Sequence, residues 1–152
     1  MARATEGWNV LPHGPLERLA DNVRWVQGSP PRISLKRVMT VARLDDGRLV
    51  IHNGIALADI QMRQLEAFGT PAFLIVPNAF HRQDAAAFKH RYPELTVLAP
   101  SGSRAKVEQK VAVDGTSRSF HPTTRSASRA RRGRRGRGRD AGRARPTARR
   151  SC

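Results

Sequence analysis

The stretch Pro71–Pro93, PAFLIVPNAFHRQDAAAFKHRYP, decides how the rest of the chain is read. Ala72 to Val76 is a short apolar run of the buried-strand type, Pro77–Asn78 is turn chemistry, and a helical pattern runs from about Asp84 to Arg91, stopping before Pro93. In an open α/β sheet, ligands and reactive side chains collect at the carboxyl ends of the strands. The turn from Asn78 to Asp84 is therefore the first place to look for chemistry, and it offers His81 and Asp84.

Toward the N-terminus, RVMTVARL and LVIHNG flank DDGR, two β-rich runs joined by a tight turn in which Gly47 supplies a positive φ. Val38, Thr40 and Ala42 fall on one face of the first run, and Met39, Val41 and Arg43 on the other. Both faces are fairly apolar, so cover on both sides is expected. A first strand is expected over Asn22 to Gln27, ended by Gly28-Ser29-Pro30-Pro31 because proline cannot donate to a ladder. Residues 1–15 read as an arm lying on the domain, with Trp8, Val10 and Leu11 tucked against it.

Between the hairpin and AFLIV a helix is expected from Leu57 to Phe68, with Leu57, Ile60, Leu65 and Phe68 as its apolar stripe. Asp59 complements the dipole in its first turn, and Gly69 and Pro71 stop it. Downstream come a strand at Thr96–Ala99, a short helix from Ser103 to Gln109 entered through Gly102 and Ser103 as turn and N-cap, and a further strand at Val111–Val113. A hairpin followed by two strand–helix alternations predicts an α/β domain, a mixed sheet with flanking helices, over residues 16–115.

The chain has 152 residues and is 39% hydrophobic, enough for one core. Its net charge of +16 is unevenly placed. Residues 1–115 carry 15 Lys and Arg against 11 acids, a balance of +4, whereas residues 116–152 carry 13 Arg against Asp140 alone, a balance of +12. That last stretch has no Lys, no hydrophobic period and only Phe120 as a large apolar residue, so a disordered Arg-rich tail is expected over 116–152. Three readings of the tail compete. Arg131, Arg132, Arg134, Arg135, Arg137 and Arg139 would neutralise phosphates of a nucleic acid in a salt-dependent way, although no aromatic residues interleave them to stack bases. A functionally neutral, solubilising extension is the second. The third is an out-of-frame terminus, because GC-rich codons read in a shifted frame yield Arg, Gly, Ala and Pro.

The single cysteine, Cys152, permits no internal disulfide. MARATEGWNVLPHG lacks the apolar core of a signal peptide, and no run approaches the length of a membrane span. A cytoplasmic setting, with no membrane partner, is the expectation.

The phrases LKRVMTVARLDDGRLVIHNGIAL, LEAFGTPAFLIVPN and NAFHRQDAAAFKHRYPELTVLAP, with V-P-N-x-x-H and R-Y-P inside them, resemble the N-terminal half of a metallo-β-lactamase-like domain of the divergent DUF4336 branch. The resemblance covers about Trp8 to Thr116. It implies a truncated half of an αββα sandwich, one sheet with its helices. It also implies metal-assisted hydrolysis with zinc or iron, whose H-x-H-x-D-H motif would directly follow AFLIV. Here Asn78 stands at the first His of that motif and Phe80 at the second, leaving His81 and Asp84 as candidate ligands. Such a centre needs about three or four protein ligands and an open water position.

Each candidate also has a structural reading. Asp84 suits an N-cap for Ala85–His90, and Asn78 suits a bond to its own backbone in the Pro77 turn. His81 would fix the same turn. His52 and Asn53, at the end of the second hairpin strand, either satisfy loop backbone or approach His81 across the sheet as a polar cluster. His90 reads as a solvated helix end, and His13 and His121 have no evident partner. A missing partner sheet would leave Val41, Ile51, Phe73 and Ile75 as an apolar patch for self-association.

Overall fold

The computed structural model describes residues 7–32 and 34–121 of the chain. Seven strands form one sheet in chain order, β1 (Glu17–Ala20), β2 (Val23–Gly28), β3 (Arg37–Arg43), β4 (Arg48–His52), β5 (Thr70–Ile75), β6 (Thr96–Ala99) and β7 (Gly115–Thr116). Neighbours from β1 to β4 pair antiparallel and those from β4 to β7 parallel. Helices α1 (Asp59–Phe68), α2 (Ala85–Arg91) and α3 (Arg104–Glu108) make the parallel crossovers. Because such crossovers are right-handed and the strand order always advances in one direction, all three helices fall on the same face.

That face holds the core. Met39, Val41, Leu49, Ile51, Leu74 and Val97 project from the strands to meet Met62 and Leu65 of α1 and Phe88 of α2, all fully buried. The opposite face carries Val23, Trp25, Thr40, Ala42, Val50, Phe73 and Ile75, all only half-buried, and exposed Val38. The expectation that both faces of the hairpin are covered is thus corrected: one face packs under helices and the other stays partly open. The expected patch divides accordingly, since Val41 and Ile51 lie in the helix-covered core while Phe73 and Ile75 lie on the open face. The cause is an irregularity between β4 and β5, where Leu49 pairs with Pro71 but Val50 pairs with Phe73. The extra residue, Ala72, reverses which side chains of β5 join Ile51.

The hairpin turn is as expected, with Gly47 at φ 84°. Its carbonyl accepts the Thr70 amide at 3.0 Å as β5 begins, and a methyl group on Gly69 would stand 2.4 Å from that same oxygen. Gly69 therefore ends α1 by permitting close approach, and its extended backbone needs no left-handed turn.

Three other expectations change. β1 is an additional edge strand whose four residues are all exposed, hairpinned to β2 through Asp21–Asn22. In α1 the buried residues are Met62 and Leu65, and Ile60 is exposed. Val111 and Val113 are buried in a loop, and the last strand is instead Gly115–Thr116. Packed chain continues past Gly115: the Phe120 ring meets Phe73 at 4.8 Å on the open face. Of the tail expected over 116–152, residues 122–152 lie outside the described residues, as do Arg131, Arg132, Arg134, Arg135, Arg137 and Arg139. At the other end, Trp8 tucks in, its indole N–H donating to the Leu57 carbonyl at 3.0 Å and its ring meeting Phe88 at 5.0 Å.

Candidate functional site

The carboxyl ends of β4 and β5 bring together the candidates that the sequence suggested. β4 ends at His52 with Asn53 directly after it, and β5 is followed by Pro77, Asn78 and a short 3₁₀ helix, Ala79–His81, before α2. Asn78 accepts the amides of Phe80 at 2.9 Å and His81 at 3.2 Å through Oδ1. It caps the 3₁₀ helix, the local role its side chain favours.

Asn53 takes the left-handed conformation, φ 56°, which asparagine tolerates better than most residues. It is buried, donates Nδ2–H to the Val38 carbonyl at 2.8 Å, and leaves Oδ1 without a protein partner. Its backbone amide bonds the Ile75 carbonyl at 2.9 Å, which ties the ends of β4 and β5.

Asp84 departs most from expectation. It occupies the N-cap position of α2, but its side chain makes no cap bond. Its carboxylate turns inward to accept from Arg37 Nη1 at 3.0 Å and from the Ala56 amide at 3.4 Å. The two side chains are only 10% and 12% exposed. Arg37 donates through Nη2 to the Gly54 carbonyl at 3.0 Å, while its Nε, also buried, has no partner. The pair joins the start of β3, the loop after β4 and the start of α2. Arg37 is the central residue that sequence reasoning missed; its only advance signal is an arginine in the strand position alternating with Met39 and Val41.

His81 is half-buried and its Nδ1 is enclosed without a protein partner. Burial holds its pKa below the ordinary value, with the nearby Arg37 charge and then His52 lowering it further. His52 is likewise held down by burial, although its side chain reaches the open face. No hydrogen bond joins the two imidazoles, and the expected approach of His52 to His81 across the sheet rests only on the weak charge effect of His52 on His81. Among the described residues, no group of three or more His, Cys, Asp or Glu is arranged to hold a metal. Since the Asp84 carboxylate is already held by a guanidinium and a backbone amide, the donors left are two imidazoles. They do not meet the requirement of a hydrolytic zinc or iron centre for three or four ligands.

The remaining histidines act locally or lie apart. His13 accepts the Ala58 amide at 2.9 Å through Nε2 just ahead of α1, a partner not foreseen. His90 is exposed on α2, and His121 borders a surface hollow under Phe120. At the far end of the sheet, Glu66 accepts from Tyr92 at 2.6 Å and from Arg91 Nη2 at 3.0 Å. Burial and that hydrogen bond push the Tyr92 pKa up.

No protein-family model and no curated protein sequence matches the chain. Solved structures do. The chain is similar to the metallo-β-lactamase DIM-1 exposed to ceftazidime, at 13% identity and a TM-score of 0.51, over 71% of this chain and 52% of that one. It is similar also to the metallo-β-lactamase FIM-1 from Pseudomonas aeruginosa in its mono-zinc form, at 11% identity and 0.52, over 70% and 51%. At these identities the likeness is one of fold: the chain has a partial metallo-β-lactamase fold and spans about half the length of these structures.

Proposed function

We propose that this chain is a divergent metallo-β-lactamase-fold domain, of the DUF4336 type in the cytoplasm, that does not carry out metal-assisted hydrolysis by itself. The observation that carries this reading is the commitment of Asp84 to Arg37, which removes the carboxylate from the ligand set next to His81. The strand-end cluster then serves to fix structure, tying β3, the loop after β4 and α2 together. The test is turnover by the purified full chain, with added zinc, of a chromogenic β-lactam and of a p-nitrophenyl ester. No rate above that of zinc alone is expected; zinc-dependent turnover abolished by His81→Ala would overturn the proposal.

The half-covered sheet favours a second property, self-association with another copy of this chain through the open face. Two identical open faces can pack on each other as the sheets of a sandwich do, with Trp25, Val38 and Ile75 at the contact. Light scattering coupled to size-exclusion chromatography should give a dimer that Val38→Glu returns to monomer. A monomer at every concentration would refute it.

A further inference from the structure

The loop that carries the chain from β4 into α1 is held from two sides. On one side the ion pair grips it, Arg37 Nη2 donating to the Gly54 carbonyl at 3.0 Å and the Ala56 amide donating to Asp84 at 3.4 Å. On the other side the N-terminal arm grips it, the Trp8 indole donating to the Leu57 carbonyl at 3.0 Å and His13 Nε2 accepting the Ala58 amide at 2.9 Å. The arm is itself fixed to the end of β2 by two backbone bonds, from the Gly14 amide to the Gln27 carbonyl at 2.8 Å and from the Ser29 amide to the Pro12 carbonyl at 2.7 Å.

The partners of His13 fix its protonation state. Nδ1 lies 2.7 Å from the Gly14 carbonyl, which can only accept, so Nδ1 carries the proton; Nε2 faces an amide, which can only donate, so Nε2 is bare. His13 is therefore neutral here, and it satisfies the amide of Ala58, the N-cap residue of α1, which has no capping side chain of its own. A second proton, on Nε2, would set two donors against each other and place a positive charge at the positive end of a helix of 10 residues. Residues 7–15 contain no other charged group. Of the charges on the surrounding elements, Lys36, bonded to Ser29, and Arg91 of α2, over the Trp8 ring, oppose a charged His13, whereas Asp59 of α1 and Glu17 of β1 favour it. Among the described residues no carboxylate forms an ion pair with His13.

We propose that His13 is a proton-operated latch for the N-terminal arm. With one proton it clamps the arm onto the loop entering α1; with two it lets go of Ala58, and Trp8 lifts from Leu57 and Phe88 while Pro12 and Gly14 stay pinned to β2. Release uncovers Phe88, which is fully buried and in contact with the Trp8 ring at 5.0 Å. It also frees one side of the loop whose other side holds Arg37 and Asp84, so the arm and the strand-end cluster share a support. The inference needs no metal and is independent of whether the chain hydrolyses anything.

The experiment is acrylamide quenching of Trp8 fluorescence in the full chain carrying Trp25→Phe, which leaves Trp8 as the single tryptophan. It is read from about pH 8 to about pH 5, the span over which histidine side chains change charge, beside far-ultraviolet circular dichroism. Quenching should rise several-fold as the pH falls, ahead of any loss of helix and strand signal. His13→Gln, which offers an acceptor that takes up no proton, should keep Trp8 shielded over the same span, and His13→Ala should leave it open to the quencher even at the alkaline end. Quenching that stays flat, that rises equally in His13→Gln or only together with the loss of circular dichroism, or a Trp8 still shielded in His13→Ala, would each overturn the proposal.

Discussion

Replacing Asp84 with alanine separates two accounts of this residue by magnitude. If Asp84 were only the N-cap of α2, its loss would cost about 1 kcal/mol. In the structure its carboxylate is the partner of a guanidinium, both about nine-tenths buried, and it also receives the Ala56 amide. Removing one member of a buried pair strands the other, at a cost of about 3–5 kcal/mol. Arg37 would retain only the Gly54 carbonyl. Total stabilities of domains are about 5–15 kcal/mol, so the variant should sit near the edge of folding. Urea denaturation followed by fluorescence of Trp8 and Trp25 measures the difference. Replacing both partners with apolar residues, Arg37→Met with Asp84→Leu, should recover most of the loss, because no charge is then left buried. A loss of about 1 kcal/mol or less for Asp84→Ala, with no recovery in the double variant, would refute the ion-pair account.

Other outcomes follow from local geometry. Gly69→Ala places a methyl group 2.4 Å from the Gly47 carbonyl, a backbone atom that cannot turn aside, and should cost about 1–3 kcal/mol by overpacking in thermal denaturation. Because His52 and His81 have folded pKa values below the ordinary 6.5, the folded state binds fewer protons than the unfolded chain. Their contribution is present in full above that value and is lost as pH falls through the lower folded values. Stability should therefore decline from pH 7 toward pH 5, less so in His81→Ala; a flat profile there would refute the assignment. A chain ending at Gly115 should be less stable than one ending at His121 by about 1 kcal/mol, the worth of the Phe120–Phe73 contact, as read by urea midpoints.

The hairpin, the turn at Gly47, β5, β6 and α2 were legible because their signals are local: two β-rich runs around DDGR, an apolar run between turns, a helix bounded by Pro93. β1 was not, since Glu17, Arg18, Leu19 and Ala20 are all exposed and show no alternation. Only pairing to β2 makes them a strand. Ile60 was mistaken for a core residue because an even stripe through Leu57 and Leu65 was assumed; at 3.6 residues per turn it points nearly opposite Met62, which is buried.

The site was half legible for the same reason. Asn78 does what its local chemistry favours, whereas Asp84 answers to an arginine 47 residues away, which no local pattern announces. The split of the expected apolar patch has the same origin. Register between β4 and β5 turns on one unpaired residue, Ala72, and moves Phe73 and Ile75 to the face away from Ile51.

The central claim is that the polar cluster at the strand ends is closed by an ion pair and falls short of a metal centre. Atomic emission on the full chain, after zinc loading and dialysis at neutral pH, tests it most directly. Far less than one zinc per chain is predicted, unchanged by His81→Ala and His52→Ala. One tightly held zinc per chain, lost in either variant, would contradict it.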